Sequence, residues 1–483
     1  MVFFGLFCLG FSALAQAQDS TQTSTASSSK QGSQQAAQGT STLKRKAPRK
    51  QVKADPILKF DLAAIGYSSP SPVDDGLLQQ FQAELDYKKK GDFSAGLNVI
   101  LGSFSTPNSM YYALPEGYIS YGDKFTSFNL GRKIENLSQA DSNFNFGLIQ
   151  GYNTNDFINF TQNGLVTLSM HYNTGSNVGF YVGYSPMFIP NQGPALKAED
   201  GKIVSSNRWA TSPPKEFKFG DQNKEIIYAI RDYKLADIVL NSGFIANIYV
   251  GEKRERPTFM ATFAQKPINE LALSRDTFGD IATFQGNVLL TPVVLTHEVY
   301  SADLNLDSGA LKTTLSYLGD LPTNKKAPDL ETMQTLNPLS IAAVYVGLDL
   351  TEMLDRKLEA YVMAADISGG EIRDLTSEGQ AGSFSFATSR TQFKKPIRSG
   401  IKGEMATIYN RPLKADLSLT YDQQLKGSLF STKINYAASN SLSFTLAADI
   451  IGVENENIDG TQSNYLDQNQ GNDRLSAGVG YAF

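Results

Sequence analysis

The chain has 483 residues and a net charge of −5 at pH 7, with 40 glycines, 22 tyrosines and 29 phenylalanines but only one tryptophan. After the first 17 residues it contains no run of 18 apolar residues. This excludes membrane-spanning helices from the rest of the chain, but not membrane-spanning strands, whose only signal is alternation. Because Cys8 is the only cysteine, the chain after residue 17 has no thiol for catalysis or metal binding.

Residues 1–17 predict a cleaved secretory signal peptide. An apolar stretch is followed by small residues at Ala13, Ala15 and Ala17, which fit a signal-peptidase site, and the segment is too short for a transmembrane helix. A positively charged start is missing. Lipidation at Cys8 is the alternative, although the small residue that a lipoprotein site places ahead of the cysteine is missing. We therefore expect the remaining chain to be exported.

Residues 18–55 predict a disordered tail. Residues 18–39 are almost entirely Ser, Thr, Gln, Ala and Gly, which cannot bury enough apolar area to offset the entropy lost on ordering. A dense basic block, KRKAPRKQVK, follows at residues 44–53. Two interpretations stay open: a periplasmic tether to an anionic partner such as cell-wall polymer or anionic lipid, or a solvated linker.

The tail conceals the acidity of the rest of the chain. Residues 1–55 hold 7 Lys or Arg and 2 Asp or Glu, so residues 56–483 carry 36 basic and 46 acidic side chains, a net charge of −10. Such an acidic region argues against nucleic acid as a partner. It would favour cations in a lumen if the acidic side chains face inward.

Alternating apolar and polar residues predict an all-β fold for residues 56–483, a transmembrane antiparallel up-and-down β-barrel of about 18 strands (16–20). Counted from a periplasmic amino terminus, short turns should alternate with longer outer loops. The predicted strands are Leu58–Tyr67, Gln80–Lys88, Phe93–Leu101, Gly117–Tyr121, Thr126–Lys133, Leu165–Tyr172, Val178–Met187, Gly243–Gly251, Thr258–Ala264, Leu289–Leu306, Leu311–Leu318, Ile341–Leu350, Leu358–Ala365, Ile397–Tyr409, Leu413–Tyr421, Gly427–Ala437, Leu442–Ile451 and a closing strand from Arg474.

Two choices in this assignment depend on the alternation of short turns and long loops. We take Leu289–Leu306 as one long strand and leave Phe384–Ser389 in an outer loop. If Thr283–Leu290, Val293–Leu306 and Phe384–Ser389 were instead three spanning strands, long segments would fall on the periplasmic side. We also extend the outer loop after the third strand to Glu116. The alternation alone would equally fit a soluble β-sandwich, so the signal peptide, the tyrosines near strand ends and the polar loop Glu454–Asp473 decide for a membrane barrel.

The last ten residues, RLSAGVGYAF, place Leu475, Ala477, Val479, Tyr481 and Phe483 on one face of a strand that ends the chain on an aromatic residue. This ending resembles the closing strand of Gram-negative outer-membrane β-barrels, and residues 56–483 as a whole resemble a porin-like channel. The resemblance implies passive transport of small hydrophilic solutes, contact with outer-membrane lipid, homotrimers, both termini in the periplasm, and a long loop folded inward to constrict the lumen.

The candidate for that constriction is the loop Phe188–Ser242, whose charged side chains could oppose one another across the opening. The shorter segment Glu135–Gly164 competes for the role, and either loop could instead be a surface flap. The candidate constriction residues are Arg208, Lys215, Glu216, Asp221, Glu225, Arg231 and Asp232.

The remaining polar signals predict lumen-facing residues rather than a catalytic site. The predicted lumen-facing residues are His171, Lys414, Asp416, Lys433 and Asp449. We interpret His171 and His297 as structural, because polar lumens place serines and carboxylates near any histidine. The chain shows no calcium-loop spacing and no phosphate cradle, and we expect neither a cofactor nor a metal nor an enzyme. Two alternatives to a channel stay open: a barrel with a plugged lumen that serves as a docking platform, and a soluble periplasmic β protein.

Overall fold

A computed structural model describes residues 57–71, 74–89, 91–105, 109–123, 125–154, 156, 158–193, 196–210, 213, 215–219, 221–251, 256–280, 285–329, 331–380, 389–454 and 465–483. The signal peptide predicted at residues 1–17 and the tail predicted at residues 18–55 lie outside this part of the chain. Within it, 28 strands are numbered β1 to β28 in chain order.

Eighteen of these strands form one antiparallel sheet that closes into a barrel. They are β1 Ile57–Tyr67, β2 Leu77–Lys89, β3 Phe93–Phe104, β4 Ser109–Gly122, β5 Thr126–Lys133, β8 Leu165–Asn173, β9 Val178–Ser185, β14 Gly243–Val250, β15 Phe259–Pro267, β18 Thr296–Ser308, β19 Leu311–Thr323, β21 Leu339–Asp349, β22 Leu358–Gly369, β24 Pro396–Ile408, β25 Arg411–Asp422, β26 Gly427–Ala437, β27 Leu442–Val453 and β28 Arg474–Ala482. The predicted all-β barrel and its count of 18 strands are confirmed.

The first and last strands close the barrel. β1 pairs antiparallel with β28, from Lys59 opposite Ala482 to Tyr67 opposite Arg474. The backbone N–H of Phe483 then donates to the Leu58 carbonyl at 2.9 Å. Closure leaves neither strand with an unpaired edge. We call the end of the barrel that holds both chain ends and the short connections the turn end, and the opposite end, with the long connections, the loop end.

Outward and inward side chains differ in character along each strand, as alternation requires. Phe81, Leu168 and Leu304 are large apolar side chains that stay exposed on the outward face. Gln82 and Ser169, next to them in sequence, point inward and are buried. An exposed apolar band around a polar interior is the arrangement expected of a barrel whose outer surface faces lipid.

The fourth barrel strand is longer than predicted. Residues up to Glu116 were predicted to lie in an outer loop, whereas β4 begins at Ser109. The strand includes Pro115, although proline cannot donate a hydrogen bond to a ladder. The pairing of β3 with β4 shifts register between Asn98 and Ile100, and this bulge lets the strand continue past the proline.

The prediction of one long strand at Leu289–Leu306 is wrong. The segment contains two strands, β17 (Gln285–Val293) and β18 (Thr296–Ser308), and only β18 belongs to the barrel. Between them Val294 and Leu295 are buried in two separate apolar clusters. The apolar run therefore reflects packing beneath a second sheet, not a longer membrane strand.

That second sheet lies at the loop end and was not predicted. Four different barrel connections supply its strands, in the order β12, β13, β17, β16, β20, β23. Their bounds are β12 Glu216–Phe219, β13 Gln222–Ile230, β16 Ala272–Asp280, β20 Glu331–Leu336 and β23 Ile372–Thr376. We call it the cap sheet. Arg275 and Asp374 form a buried ion pair at 2.9 Å that joins two of these connections.

The other elements are short. They are β6 Tyr152–Asn153, β7 Thr161–Gln162, β10 Lys197–Glu199, β11 Lys202–Val204, the α-helices α1 Gln139–Phe144, α2 Leu235–Val239, α3 Thr351–Leu354 and α4 Tyr465–Asn469, and a 3₁₀ turn at Gln470–Asn472. Among the described residues, each helix is too short or too polar to serve as a membrane span. Of the loop segment predicted at Phe384–Ser389, only Ser389 is described, in a bridge to Glu371.

Candidate functional site: the lumen

One connection folds into the barrel and packs on its inner wall. This connection, residues 134–164 between β5 and β8, is called the inner loop below. Its side chains Leu137, Leu148 and Ile149 belong to one buried cluster with Val299 and Leu318, which point inward from β18 and β19. The inner loop thus reaches strands well beyond its own neighbours and covers their apolar inner faces.

Asp141 holds the inner loop in shape. Ser138 caps α1 by accepting a hydrogen bond from the Asp141 backbone N–H at 3.3 Å. The two carboxylate oxygens of Asp141 accept from the backbone N–H groups of Leu148 and Ile149, both at 3.0 Å. Burial raises the pKa of the Asp141 carboxyl above its ordinary value, while these N–H donors oppose that shift. A buried carboxylate therefore fixes the turn that presents the apolar side chains to the wall.

The wall under the inner loop differs from the wall across the lumen. On β14 to β21 the inward residues Ile245, Ala264, Val299, Leu318 and Ile341 are buried in the cluster with the inner loop. Further round the ring, beyond β22, the inward Lys402 of β24 keeps a side chain that is 45% exposed. The interior is therefore filled over β14 to β21, and we call the inner face that runs from β24 round the ring to β4 the open wall.

The charges around Lys402 form a connected network. Its ammonium lies 3.2 Å from Glu359 and within 5.5 Å of the ring centres of Tyr345 and Tyr361. Glu359 also pairs with Lys312 at 2.9 Å. Lys312 pairs with Asp349 as well, at 3.1 Å, so two lysines and two carboxylates balance their charges in this network.

Inward charges on the open wall separate by sign. Basic side chains predominate on β24 to β26, where Asp416, Glu404 and the buried Asp422 lie among them, and acidic side chains predominate on β1 to β4, where Lys59 and Lys88 lie among them. The basic set is Arg398, Lys402, Lys414 and Lys433, and the acidic set is Asp61, Glu84, Asp86 and Glu116. A field directed across the open part of the lumen follows from this separation.

The predicted lumen-facing residues occupy three places. His171 contacts Glu135, at the start of the inner loop, at 3.0 Å. Lys414, Asp416 and Lys433 lie on the open wall, where the strand register sets Asp416 opposite Lys433. Asp449 is buried in an ion pair with Arg474 at 2.7 Å. That these five residues line a conducting path stays a prediction.

The residues predicted to form a constriction are not gathered in one place. We call residues 186–242, between β9 and β14, the strap. Arg208 is buried against Asp74 at 3.0 Å, near the loop end of β1. Lys215, Glu216, Asp221, Glu225 and Asp232 are exposed, and Glu225 pairs with Lys202 at 3.3 Å. Arg231 pairs with Asp276 at 3.6 Å and Glu331 at 3.3 Å in the cap sheet. A role for this set in narrowing the lumen stays a prediction, whereas the inner loop packs on the inner faces of β14 to β21.

Sequence reasoning missed a buried polar group at the loop end of β18 and β19. Asp320 accepts a hydrogen bond from His297 Nδ1 at 2.9 Å and pairs with Arg390 at 2.5 Å. The alternation around His297 in β18 did not indicate whether its side chain points into or out of the barrel. Arg390 lies 70 residues after Asp320, in another connection. Within the described residues, no group of three or more His, Cys, Asp or Glu side chains is arranged to hold a metal ion.

No protein-family model and no curated protein matches the chain. Solved structures with a similar fold include OccK11 (OpdR) of Pseudomonas aeruginosa, at 7% identity and a TM-score of 0.43, covering 89% of this chain and 95% of that one. A BenF-like porin from Pseudomonas fluorescens has 10% identity and a TM-score of 0.44, covering 89% and 99%. OccAB4 of Acinetobacter baumannii has 9% identity and a TM-score of 0.43, covering 90% and 100%. By its own strands and their pairing, this chain has the architecture of an outer-membrane porin-like β-barrel.

Proposed function

We propose that the protein is an outer-membrane channel for the passive diffusion of small hydrophilic solutes. The observation that carries the proposal is the half-exposed Lys402, which points inward from β24 of a closed barrel, opposite Glu359 near the turn end. A charged side chain with that exposure needs water inside the barrel. The apolar outward band supports contact with outer-membrane lipid, and the loop end would then face the cell exterior.

The separated charges on the open wall support a preference for polar and charged solutes. An electric field across the lumen orders water and favours solutes that carry charge or a dipole over apolar ones of the same size. The basic side chains on β24 to β26 counteract the preference for cations that the acidic composition alone suggested. We include no catalytic activity in the proposal.

Two further parts of the proposal rest on the sequence. Both chain ends and the basic tail would lie in the periplasm, where residues 44–53 could bind an anionic polymer or lipid headgroup. Assembly as a homotrimer is implied by the resemblance to porins. Chemical crosslinking of the protein in native membranes, with and without the tail, tests both.

A second candidate function is a docking platform with a plugged lumen. Two observations favour it: the inner loop packs on one wall, and the strap carries Trp209 into a buried cluster on another. In that case the exposed inward charges would face a closed vestibule instead of a continuous path.

Single-channel conductance in a planar bilayer separates these functions. We would compare the intact barrel with a variant whose residues 136–163 are replaced by a short Gly-Ser linker and another whose strap is shortened. Ohmic current from the intact barrel that rises when the inner loop is removed supports a channel constricted by that loop. An intact, heat-modifiable barrel that stays silent until a loop is removed would support the platform, and a protein that never inserts would refute the membrane assignment.

A further inference from the structure

The strap crosses the loop end of the barrel. It leaves β9 and returns to β14, which are the seventh and eighth strands counted around the ring from β1. Its residue Arg208 nevertheless bonds to the β1–β2 connection at Asp74 and to the β27–β28 connection at Asn472. These connections belong to the first two and the last two strands of the ring. The described part of the strap therefore reaches the far side of the opening.

The guanidinium of Arg208 makes four hydrogen bonds, and each of its three nitrogens donates at least one. Nε donates to Asn472 Oδ1 at 2.8 Å, Nη1 to Asp74 Oδ1 at 3.0 Å, and Nη2 to the carbonyls of Ser69 at 2.7 Å and Gly471 at 3.4 Å. Its flat face lies 3.6 Å from the ring centre of Tyr67. A planar fork that meets two loops at once is the geometry that arginine, but not lysine, provides.

Asp74, the acidic partner of Arg208, is held in place by its own connection. Asp74 is almost fully buried, and its carboxylate also accepts from Ser71 Oγ and from the Gly76 backbone N–H, both at 2.9 Å. The carboxylate is therefore oriented by its own connection before the strap arrives. Fixed partners of this kind lower the entropy cost of docking the strap.

The next residue, Trp209, completes the attachment. Its side chain is buried with Leu429, Ile451 and Leu466, at the loop end of the last strands. Its ring also lies 5.6 Å from the guanidinium of Arg474. Arg474 in turn pairs with Asp156 of the inner loop at 2.6 Å. The strap and the inner loop are thus fastened to the same part of the wall.

We propose that Arg208 is a positioning residue that holds the strap across the loop end and thereby sets the size of the entrance to the lumen. The inference rests on the proposed channel function, because an entrance matters only if solutes pass. It also reassigns Arg208: its charge is satisfied by fixed partners at the rim, so it acts by placing the strap and not by facing solutes in a constriction.

The protein carries its own reporter for this arrangement. Trp209 is the only tryptophan of the chain, and it lies beside Arg208 in the attached segment. Its emission wavelength and its quenching by acrylamide therefore report the position of the strap without labelling and independently of conductance. Removing one partner of a buried ion pair should weaken docking on the order of 100-fold or more.

The experiment compares the full-length barrel with Arg208→Ala, Arg208→Lys and the control Lys197→Ala, which changes an exposed residue of the same strap outside the candidate constriction set. We expect red-shifted Trp209 emission, stronger quenching and a larger, noisier single-channel current for Arg208→Ala. Arg208→Lys should restore part of each, since it keeps the charge beside Asp74 but loses the fork. Lys197→Ala should match the wild type. Heat-modifiable migration confirms that each barrel is folded.

A further variant separates docking of the strap from loosening of the connections that Arg208 contacts. A Cβ atom added at Gly471 would lie 3.7 Å from the Cβ of Ser69, which suits a disulfide between Ser69→Cys and Gly471→Cys. With the two connections linked in this way, Arg208→Ala should still release Trp209.

Three results would overturn the inference. Unchanged Trp209 emission in Arg208→Ala would show that Arg208 does not hold the strap. A released strap with unchanged current would show that the strap does not set the entrance. If every variant inserts and stays silent, the channel function itself fails and with it the role of the strap at an entrance, while the emission data still report whether Arg208 holds the strap.

Discussion

Replacing Asp320 with alanine should be among the most destabilising single changes in the barrel. Asp320 is completely buried, accepts a hydrogen bond from His297 at 2.9 Å and pairs with Arg390 at 2.5 Å. The side chains of His297 and Arg390 are themselves almost fully buried. Asp320→Ala would leave a buried guanidinium without this carboxylate and a buried imidazole without its acceptor.

The size of the effect follows from burial. Removing one partner of a buried ion pair typically costs about 3–5 kcal/mol, because the remaining charge stays desolvated. The pair between Asp366 and Lys395 offers a matched control, since it has a similar separation of 3.2 Å but side chains that are 67% and 47% exposed. For Asp366→Ala we expect a loss of less than about 1 kcal/mol.

Urea unfolding of the barrel in detergent, followed by loss of heat-modifiable migration, gives both free energies of unfolding. Arg390 belongs to the connection between β22 and β24, so the same substitution should also expose that connection to protease in the folded barrel. A loss for Asp320→Ala that equals the loss for Asp366→Ala would refute the reasoning, because burial would then make no difference to the pair.

Two other substitutions test the lumen. Asp141→Asn should flatten the pH dependence of stability. Because the pKa of Asp141 is raised in the folded protein, the wild-type free energy of unfolding should increase as the pH falls through that pKa towards the ordinary value. A variant that keeps the wild-type slope in acid unfolding curves would contradict this. Lys402→Glu should shift the reversal potential in a salt gradient towards cations, since it reverses a charge on the open wall; an unchanged reversal potential would place the conducting path elsewhere.

The barrel was predictable from the sequence because its strands interact mainly with their neighbours in the chain. Each of the 18 barrel strands overlaps a predicted strand, although one prediction merged β18 with part of β17, and alternation is clearest from Leu413 to Ile451. The errors arose where this local rule was broken by a bulge at Pro115 and by an apolar segment, Val294 and Leu295, that is buried beneath the cap sheet.

The contacts inside the lumen were not predictable in the same way. Arg208 meets Asp74 across 134 residues and Asn472 across 264 residues of sequence. The residues next to Arg208 in the sequence do not indicate whether its side chain meets a distant partner or solvent. The cap sheet was not predictable for the same reason. Four separate connections supply its strands, and β13 pairs with β17 in parallel. Such pairings depend on where the barrel places the ends of its loops.

One part of the interior did leave a signal in the sequence, and it yields a final prediction. A strand between lipid and a water-filled lumen should have one polar face, yet β19 has Leu315 on its exposed outward face and the completely buried Leu318 on its inner face. An apolar inner face would be unfavourable in water, so it requires a cover, and the inner loop supplies that cover. Leu318→Ala should therefore cost about 2–5 kcal/mol of stability and increase current noise by loosening the inner loop. Leu315→Ala, the same substitution on the opposite face, should cost less and leave the current unchanged. Equal effects on conductance would show that the inner loop does not depend on this wall.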